Sequence, residues 1–425
     1  MLDWWRSGSA VARRALIAAA LGWMLDAFDV MLYALVLASL IEDLGLSHVT
    51  AGWLGSITLV ASAIGGALFG LMADRVGRVR ALTLSVLIYS VFTALCGLAT
   101  SVWQLAVFRA FLGLGMGGEW ACGAALVSET WPAKHRGKAL ALVQSAWAIG
   151  FALAALVTAV VLPRWGWRAV FFVGILPALL TLWVRRNIPE PAIWREKGTR
   201  GKGDSPLFRE LTPSKNGAVP FSPPGSFSFL RPPLLRLTLA LTLMNACTLF
   251  AWWGFNLWIP AYLSLPSADG GVGLATETMS LFVVVMQVGM WFGYVTFGYV
   301  SDRVGRKRTY VTYLLTAAVL MSLYAITGAP PLLFLLGPFV AFFGTGYFSG
   351  FGAVAAEIYP TSLRATALGF TYNLGRVASA FAPFAVGSLS QTRGFAFAFL
   401  LTATAFVAAS LFWFIIPETR GRELT

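Results

Sequence analysis

Asp26, Asp29, Arg109, Glu119 and Arg376 are the acidic and basic residues of this 425-residue chain that fall deep inside long apolar runs. A charge at bilayer depth costs about 2.5–3.5 kcal/mol on insertion scales, so such residues are expected to face a cavity or a partner. Asp26 and Asp29, in "GWMLDAFDV", are three residues apart and share one helix face. Two nearby carboxylates resist double ionisation, which suits the pair to carrying one proton. Glu119 follows Gly113, Gly115, Gly117 and Gly118, whose missing side chains let its helix approach a neighbour closely, and it joins the aspartates as a proton carrier. Arg109 lies about 15 Å along the same helix by helical rise, too far to pair with Glu119; it is expected to meet an aspartate of the first helix and is, with Arg376, a candidate for binding the substrate anion.

Arg376, in "TYNLGR", has no acidic partner in its part of the chain. A guanidinium there is shaped to bind a carboxylate through two parallel hydrogen bonds. The alternative is pairing with Asp26 or Asp29 when no substrate is bound, and the two readings are compatible. Trp252, Trp253, Asn256, Gln287, Gln144, Trp147, Tyr372 and Asn373 complete the candidate lining. Trp103, Trp165, Trp167 and Trp413 are assigned to the membrane interface instead. Cys96, Cys122, Cys247, His48 and His135 are isolated from one another, so no metal site is expected. With no nucleophile–base pair and no phosphate-binding loop, neither an enzyme nor a cofactor is expected.

The elements that position these residues are membrane spans. Hydrophobic residues make up 58% of the chain and charged ones 12%, about half the charge of a soluble domain. Apolar runs predict an all-α polytopic fold with twelve transmembrane helices, near 14–40, 50–73, 81–99, 102–128, 138–162, 167–187, 236–263, 276–300, 309–328, 331–356, 366–389 and 394–416. The first run is too long for a signal peptide and reads as a retained span. Three domains follow: a six-helix bundle over 1–190, a Pro-, Gly-, Ser- and charge-rich linker over 191–235 with one short helix near Ile193, and a second six-helix bundle over 236–425. Of the 31 Lys and Arg, 26 lie on alternate loops with both termini and the linker, which makes that side cytoplasmic by the positive-inside rule. The net charge of +13 is therefore a topology signal with the lipid bilayer as partner, and nucleic acid is excluded.

The halves repeat. "GLMADRVGRVR" from Gly70 returns as "GYVSDRVGRKR" from Gly298, "ETWPAKHRGKALA" from Glu129 as "EIYPTSLRATALG" from Glu357, and "IPE" at Ile188 recurs at Ile416, all 228 residues on. An even number of crossings separates the copies, so the halves are parallel repeats, which place a solute site at the midplane between them. None of the buried charges is repeated: Asp26 corresponds to Gly254, Asp29 to Leu257, Arg109 to Gly337, Glu119 to Tyr347 and Arg376 to Ala148.

Over its full length the sequence resembles the major facilitator superfamily, on both loop copies, with Val79 the one softened position. "WMLDAFDVMLYAL", "GLGMGGEWACGAALVSE" and "TYNLGR" are most similar to its metabolite:proton symporters for sialic acid, lactate or pyruvate. The resemblance implies proton-coupled symport of a small organic anion by alternating access, in a bacterial inner membrane and as a monomer. Sugar or drug efflux on the same fold is the alternative, and a non-transporting receptor or scaffold a third. It also implies a cytoplasmic latch of Asp74, Arg75, Gly77 and Arg78 with Glu129 and Arg136, and of Asp302, Arg303, Gly305 and Arg306 with Glu357 and Arg364. In that latch Gly77 and Gly305 permit the tight reversal, and Asp74 and Asp302 are expected to accept from backbone N–H groups at a helix N-terminus.

Overall fold

Serine caps start the first helices: Ser9, Ser47 and Ser101 accept from the backbone N–H groups of Ala12, Thr50 and Gln104 at 3.1, 3.1 and 3.3 Å. The computed structural model describes residues 5, 8–131, 136–179, 181, 183, 227–232 and 234–420. Its first half holds α1 (Ala10–Leu44), α2 (His48–Val76), α3 (Arg78–Cys96), α4 (Val102–Thr130) and α5 (Arg136–Val173). The second holds α6 (Leu234–Ser264), α7 (Thr276–Val304), α8 (Arg306–Ile326), α9 (Pro330–Gly346), α10 (Phe348–Ile358), α11 (Thr361–Ser379) and α12 (Ala382–Leu411).

Twelve crossings in two six-helix bundles result. α5 turns back at Gly166 and α12 at Gly394, so each contributes to two crossings. α9 and α10 together make one crossing, broken at Tyr347, and α11 joins the first arm of α12 to make another. Pro383 takes an early position of α12, where its missing N–H leaves no helical bond unmade. The third crossing begins at Arg78, three residues before the sequence expectation. The linker and the short helix near Ile193 lie outside the described residues.

The 228-residue repeat reappears in the backbone. Gly45 and Gly273, Gly77 and Gly305, and Gly166 and Gly394 are three pairs at that spacing, and all six have positive φ. At Gly77 (φ 121°) and Gly305 (φ 111°) the chain reverses between two helices in a conformation that a side chain would strain.

Each bundle is welded by glycine. A Cβ added to Gly65 would collide with the Leu114 carbonyl, and one on Gly113 or Gly117 with the carbonyl of Thr58 or Ser62. In the second bundle Gly289 and Gly293 stand against the carbonyls of Pro338 and Phe342 in the same way. The glycine-rich approach expected for the fourth helix is thus directed at α2 by Gly113, Gly117 and Gly118 and at α3 by Gly115. Two interface assignments are corrected. Trp103 and Trp165 are exposed, but Trp167 and Trp413 are buried, because Trp167 donates to Asp43 at 2.9 Å and Trp413 packs on Tyr310 with ring centroids 4.7 Å apart.

The bundles meet along α1–α6, α2–α12 and α5–α7. Away from the basic loops they touch directly. His48 Nδ1 and Ser390 Oγ are 3.0 Å apart, the Val49 N–H donates to Gln391 at 3.3 Å, and the Phe384 N–H donates to Ser56 at 3.3 Å.

Gly117→Ala therefore forces α2 and α4 apart and is expected to cost about 1–3 kcal/mol. Gly352→Ala, where the new methyl meets nothing within 4 Å, is expected to leave stability unchanged or slightly raised. Thermal unfolding of the detergent-solubilised protein compares the two.

Candidate functional site

Asp26 and Asp29 are both 1% exposed, on the face of α1 that turns into the first bundle. Oδ2 of Asp26 and Oδ1 of Asp29 have no hydrogen-bond partner. The Thr93 hydroxyl of α3 lies 3.2 Å from Asp29 Oδ2 and 2.8 Å from the Tyr89 carbonyl one turn back. It has one proton to give. The Tyr89 carbonyl and the Asp29 carboxylate therefore compete for that proton. Glu119, 1% exposed, presses against α1 one turn before Asp26. Its Oε1 occupies the space a Cβ on Gly22 would need, and neither of its oxygens has a partner. Asp26 lies within electrostatic range of both Asp29 and Glu119. The three predicted proton carriers therefore form one buried acidic cluster.

Arg376 approaches that cluster from the other bundle. It is 4% exposed, and its charge acts on Asp26 across the interface. Among the described residues no direct ion pair joins them and no hydrogen bond of the guanidinium is made. Asn245 holds the helix turn beneath it: its Nδ2 donates to the Tyr372 carbonyl at 3.3 Å and fills the space left by Gly375. Sequence reasoning passed over Asn245, although an amide in the apolar run "LTLMNACTLF" was a visible signal.

Indoles bridge the bundles beside these charges. Trp147 packs on Trp23, Trp252 and Trp253 at centroid distances of 4.8, 5.6 and 6.2 Å. Trp252 reaches Phe348 at 6.3 Å, and Tyr372, one turn from Arg376, stands 6.0 Å from Phe351. The indole N–H groups of Trp147 and Trp252 and Gln287 Oε1 are buried without partners. Gln144 lies beside the Tyr294 phenol across the interface. Asn256 donates to the Trp252 carbonyl at 3.0 Å, and both residues line a narrow cavity inside the second bundle with room for about one water. Asn373 is exposed and donates to the Gly369 carbonyl in its own helix.

Arg109 departs from expectation. Its guanidinium carbon sits 3.6 Å from the centroid of the Tyr33 ring, and its Nε donates to the Leu54 carbonyl at 3.1 Å. It does meet the first helix, but on a tyrosine face instead of an aspartate. A desolvated cation–π contact of about 2 kcal/mol offsets part of its burial. Tyr33 is held for this contact by its own hydroxyl, which donates to the Ala51 carbonyl at 2.8 Å.

In the second gating loop Arg306 binds Glu357 (Nη2–Oε1 3.1 Å), Asp302 (Nη1–Oδ1 2.5 Å) and Ser301 (Nη1–Oγ 2.7 Å), all within its own bundle. The cap expected of Asp302 is made by Glu418, which accepts from the backbone N–H groups of Arg306 and Lys307 at 2.8 and 3.1 Å. Thr419 then donates to Glu357 at 2.6 Å. Asp302 is displaced because Arg306 bends back one turn to take it. Arg75 and Arg303 are exposed and Arg78 is half-buried. The side chains of Asp74, Glu129, Arg136 and Arg364 lie outside the described part of the structure.

This architecture has counterparts. The family model for the Major Facilitator Superfamily matches residues 19–296 and 263–425. The chain belongs to that superfamily. It is a multi-pass membrane transporter, not an enzyme. It is 34% identical to a probable 4-methylmuconolactone transporter of Cupriavidus pinatubonensis, over 99% of this chain and 94% of the relative. It is 32% identical to a sialic acid transporter of Escherichia coli strain K12, over 95% and 94%. Among solved structures, the xylose transporter of E. coli in a partially occluded, inward-open conformation matches at a TM-score of 0.76 and 21% identity, covering 98% and 100%. That likeness confirms the fold.

Glu418 supplies a pH prediction. Partial burial opposes its ionisation, but the backbone N–H groups of Arg420, Arg306, Lys307 and Thr419 outweigh it and hold the carboxyl below its ordinary value of 4.5. A depressed folded-state value means stability that is present above the unfolded value and lost as pH falls through the folded one. Glu418→Gln is expected to lower thermal stability at pH 7, by about 1 kcal/mol for a lost helix cap, and to match the parent only once the pH has fallen below the lowered folded-state value of Glu418.

Proposed function

We propose that the protein is a proton-coupled symporter of a small organic anion, working by alternating access between the bundles over 1–190 and 236–425 with 191–235 as their linker. Asp26, Asp29 and Glu119 take up and release the proton. Arg376 receives the substrate carboxylate, with Tyr372, Trp147 and Trp252 against its body. The observation that carries this reading is the separation of charge: three buried acids in one bundle face one buried, unbonded guanidinium in the other. Protonating the acids frees Arg376 from their field to bind an anion, and releasing the anion restores the attraction. One ligand thus changes the affinity for the other, which is what coupling requires.

The relatives support the substrate class. A muconolactone and a sialic acid differ in ring, size and hydroxyl content, and a carboxylate is the group they share. The basic loops support an inner membrane of bacterial type with both termini cytoplasmic. In that orientation the direct contacts at His48, Val49 and Ser56 lie at the outer end of the interface between the bundles. A monomer suffices, because both charge sets lie in one chain.

Uptake of radiolabelled monocarboxylates, sialic acid and aromatic acids into proteoliposomes tests the reading. An inward pH gradient is expected to drive accumulation of one of them, and uptake indifferent to the gradient would sink proton coupling. Asp26→Asn is expected to abolish gradient-driven accumulation while leaving substrate exchange. Arg376→Lys keeps the charge but loses the fork, and is expected to weaken apparent affinity roughly tenfold, ~1.4 kcal/mol.

A further inference from the structure

Tyr89 of α3 is fully buried, and its hydroxyl has no hydrogen-bond partner. Three contacts fix its height among the neighbouring helices. Thr93, one turn along α3, meets Asp29 of α1. The backbone and Cβ of Tyr89 lie against Gly115 of α4, where a side chain would collide with them. Glu119, one turn further along α4, meets Gly22 of α1. α1 and α3 run in the same direction and α4 runs against them, so these contacts define one register. Tyr89 stands about one turn, 5.4 Å, from the level of Asp29 on one side and of Glu119 on the other, beside Asp26. Asp26, Asp29 and Glu119 all lie within electrostatic range of its phenol. The seam that carries it is rigid, since Ser85 donates to the Gly115 carbonyl at 2.7 Å and Thr93 to the Tyr89 carbonyl at 2.8 Å.

A lone acid pair needs no such residue, and an apolar one would fill the space without an orphaned hydroxyl. From this placement we propose that Tyr89 is the relay that passes the coupled proton between the Asp26/Asp29 pair and Glu119. The inference rests on the symport reading and deepens it. In the step, the O–H bond of a protonated aspartic acid breaks as its proton joins the phenol oxygen. The phenol's own O–H bond breaks as that proton joins the Glu119 carboxylate. Tyr89 is neutral before and after, one proton has moved, and nothing is oxidised or reduced. Arg376, the charged group that reaches the cluster from the second bundle, acts on Asp26 and biases which acid holds the proton.

Tyr89→Phe keeps the ring and removes only the hydroxyl. Net uptake driven by a pH gradient and counterflow exchange of the same substrate are measured in proteoliposomes, in H2O and in D2O. A relay predicts that net uptake falls at least tenfold and that any residual D2O sensitivity of the parent's net uptake is altered, while counterflow, thermal stability and substrate affinity stay at parent level. Unchanged net uptake overturns the relay. So does an equal fall in net uptake and counterflow, which marks a packing role. If the parent itself ignores the pH gradient, the symport reading fails and the relay fails with it, an outcome read from the parent alone and so distinct from the other two.

Discussion

A carboxylate in a low-dielectric interior must be neutralised by a proton, a cation or hydrogen bonds, and the first bundle provides little beyond the first of these. Asp26, Asp29 and Glu119 share one threonine hydroxyl as their only hydrogen bond among the described residues. Leaving a buried charge without a partner costs several kcal/mol. The cluster is therefore at rest only when protonated or when Arg376 draws near, and much of the surrounding structure serves to keep it in that condition. The glycines of α4 seat it against α2 and α3, and Gly22 of α1 leaves the room that the Glu119 carboxylate fills. The two buried arginines mark the contrast. Arg109 is partly satisfied inside its own bundle, by a tyrosine face and a carbonyl, with its Nη1 left without a partner. Arg376 is held in place by Asn245 beneath its helix and left with its donors free.

Within each bundle, helices approach until glycine meets carbonyl, contacts that cannot slide without collision. Between the bundles, at the end away from the basic loops, single hydrogen bonds such as His48–Ser390 and Val49–Gln391 join side chains or a lone N–H. Each contributes about 1 kcal/mol and is readily exchanged for water. Two stiff bodies joined by weak contacts rock more easily than they deform, which is the mechanical basis of a bistable interface. The network of Asp302, Arg306, Glu357 and Thr419 belongs to the stiff part in this conformation, because all of its partners among the described residues lie in one bundle.

The repeat was legible because glycine can be recognised from sequence as the residue that tolerates positive φ, and three such pairs recur at the same offset. The buried charges were legible because water is scarce along a span. What spacing along one helix cannot supply is the rotation of that helix against its neighbours. The aspartate partner expected for Arg109 was wrong for that reason, since Tyr33 lies one turn from Asp29 on the same helix and takes the contact. Trp167 and Trp413 sit at span ends like belt residues, yet their rotation turns them inward. Glu418 was noticed as part of a repeated "IPE", but the helix start it caps, at Arg306 and Lys307, lies more than a hundred residues away, and no local pattern names it. Tyr89 is one of 11 tyrosines, and only the register of three helices sets it apart.

The asymmetry of the halves carries the remaining step. Both bundles keep the gating loops and the positive-φ glycines, so evolution of the chain has held the mechanics in common while letting the chemistry diverge. With acids on one side and the guanidinium on the other, the exchange between proton and anion that we propose would cross the interface between the bundles. The gap between Asp26 and Arg376 suits that task. A closed, fully desolvated ion pair would cost about 3–5 kcal/mol to break and would hold the bundles together at every cycle. At longer range the attraction is weaker and yields to a proton on one side or a carboxylate on the other, so either ligand can tip the balance without having to overcome a lock.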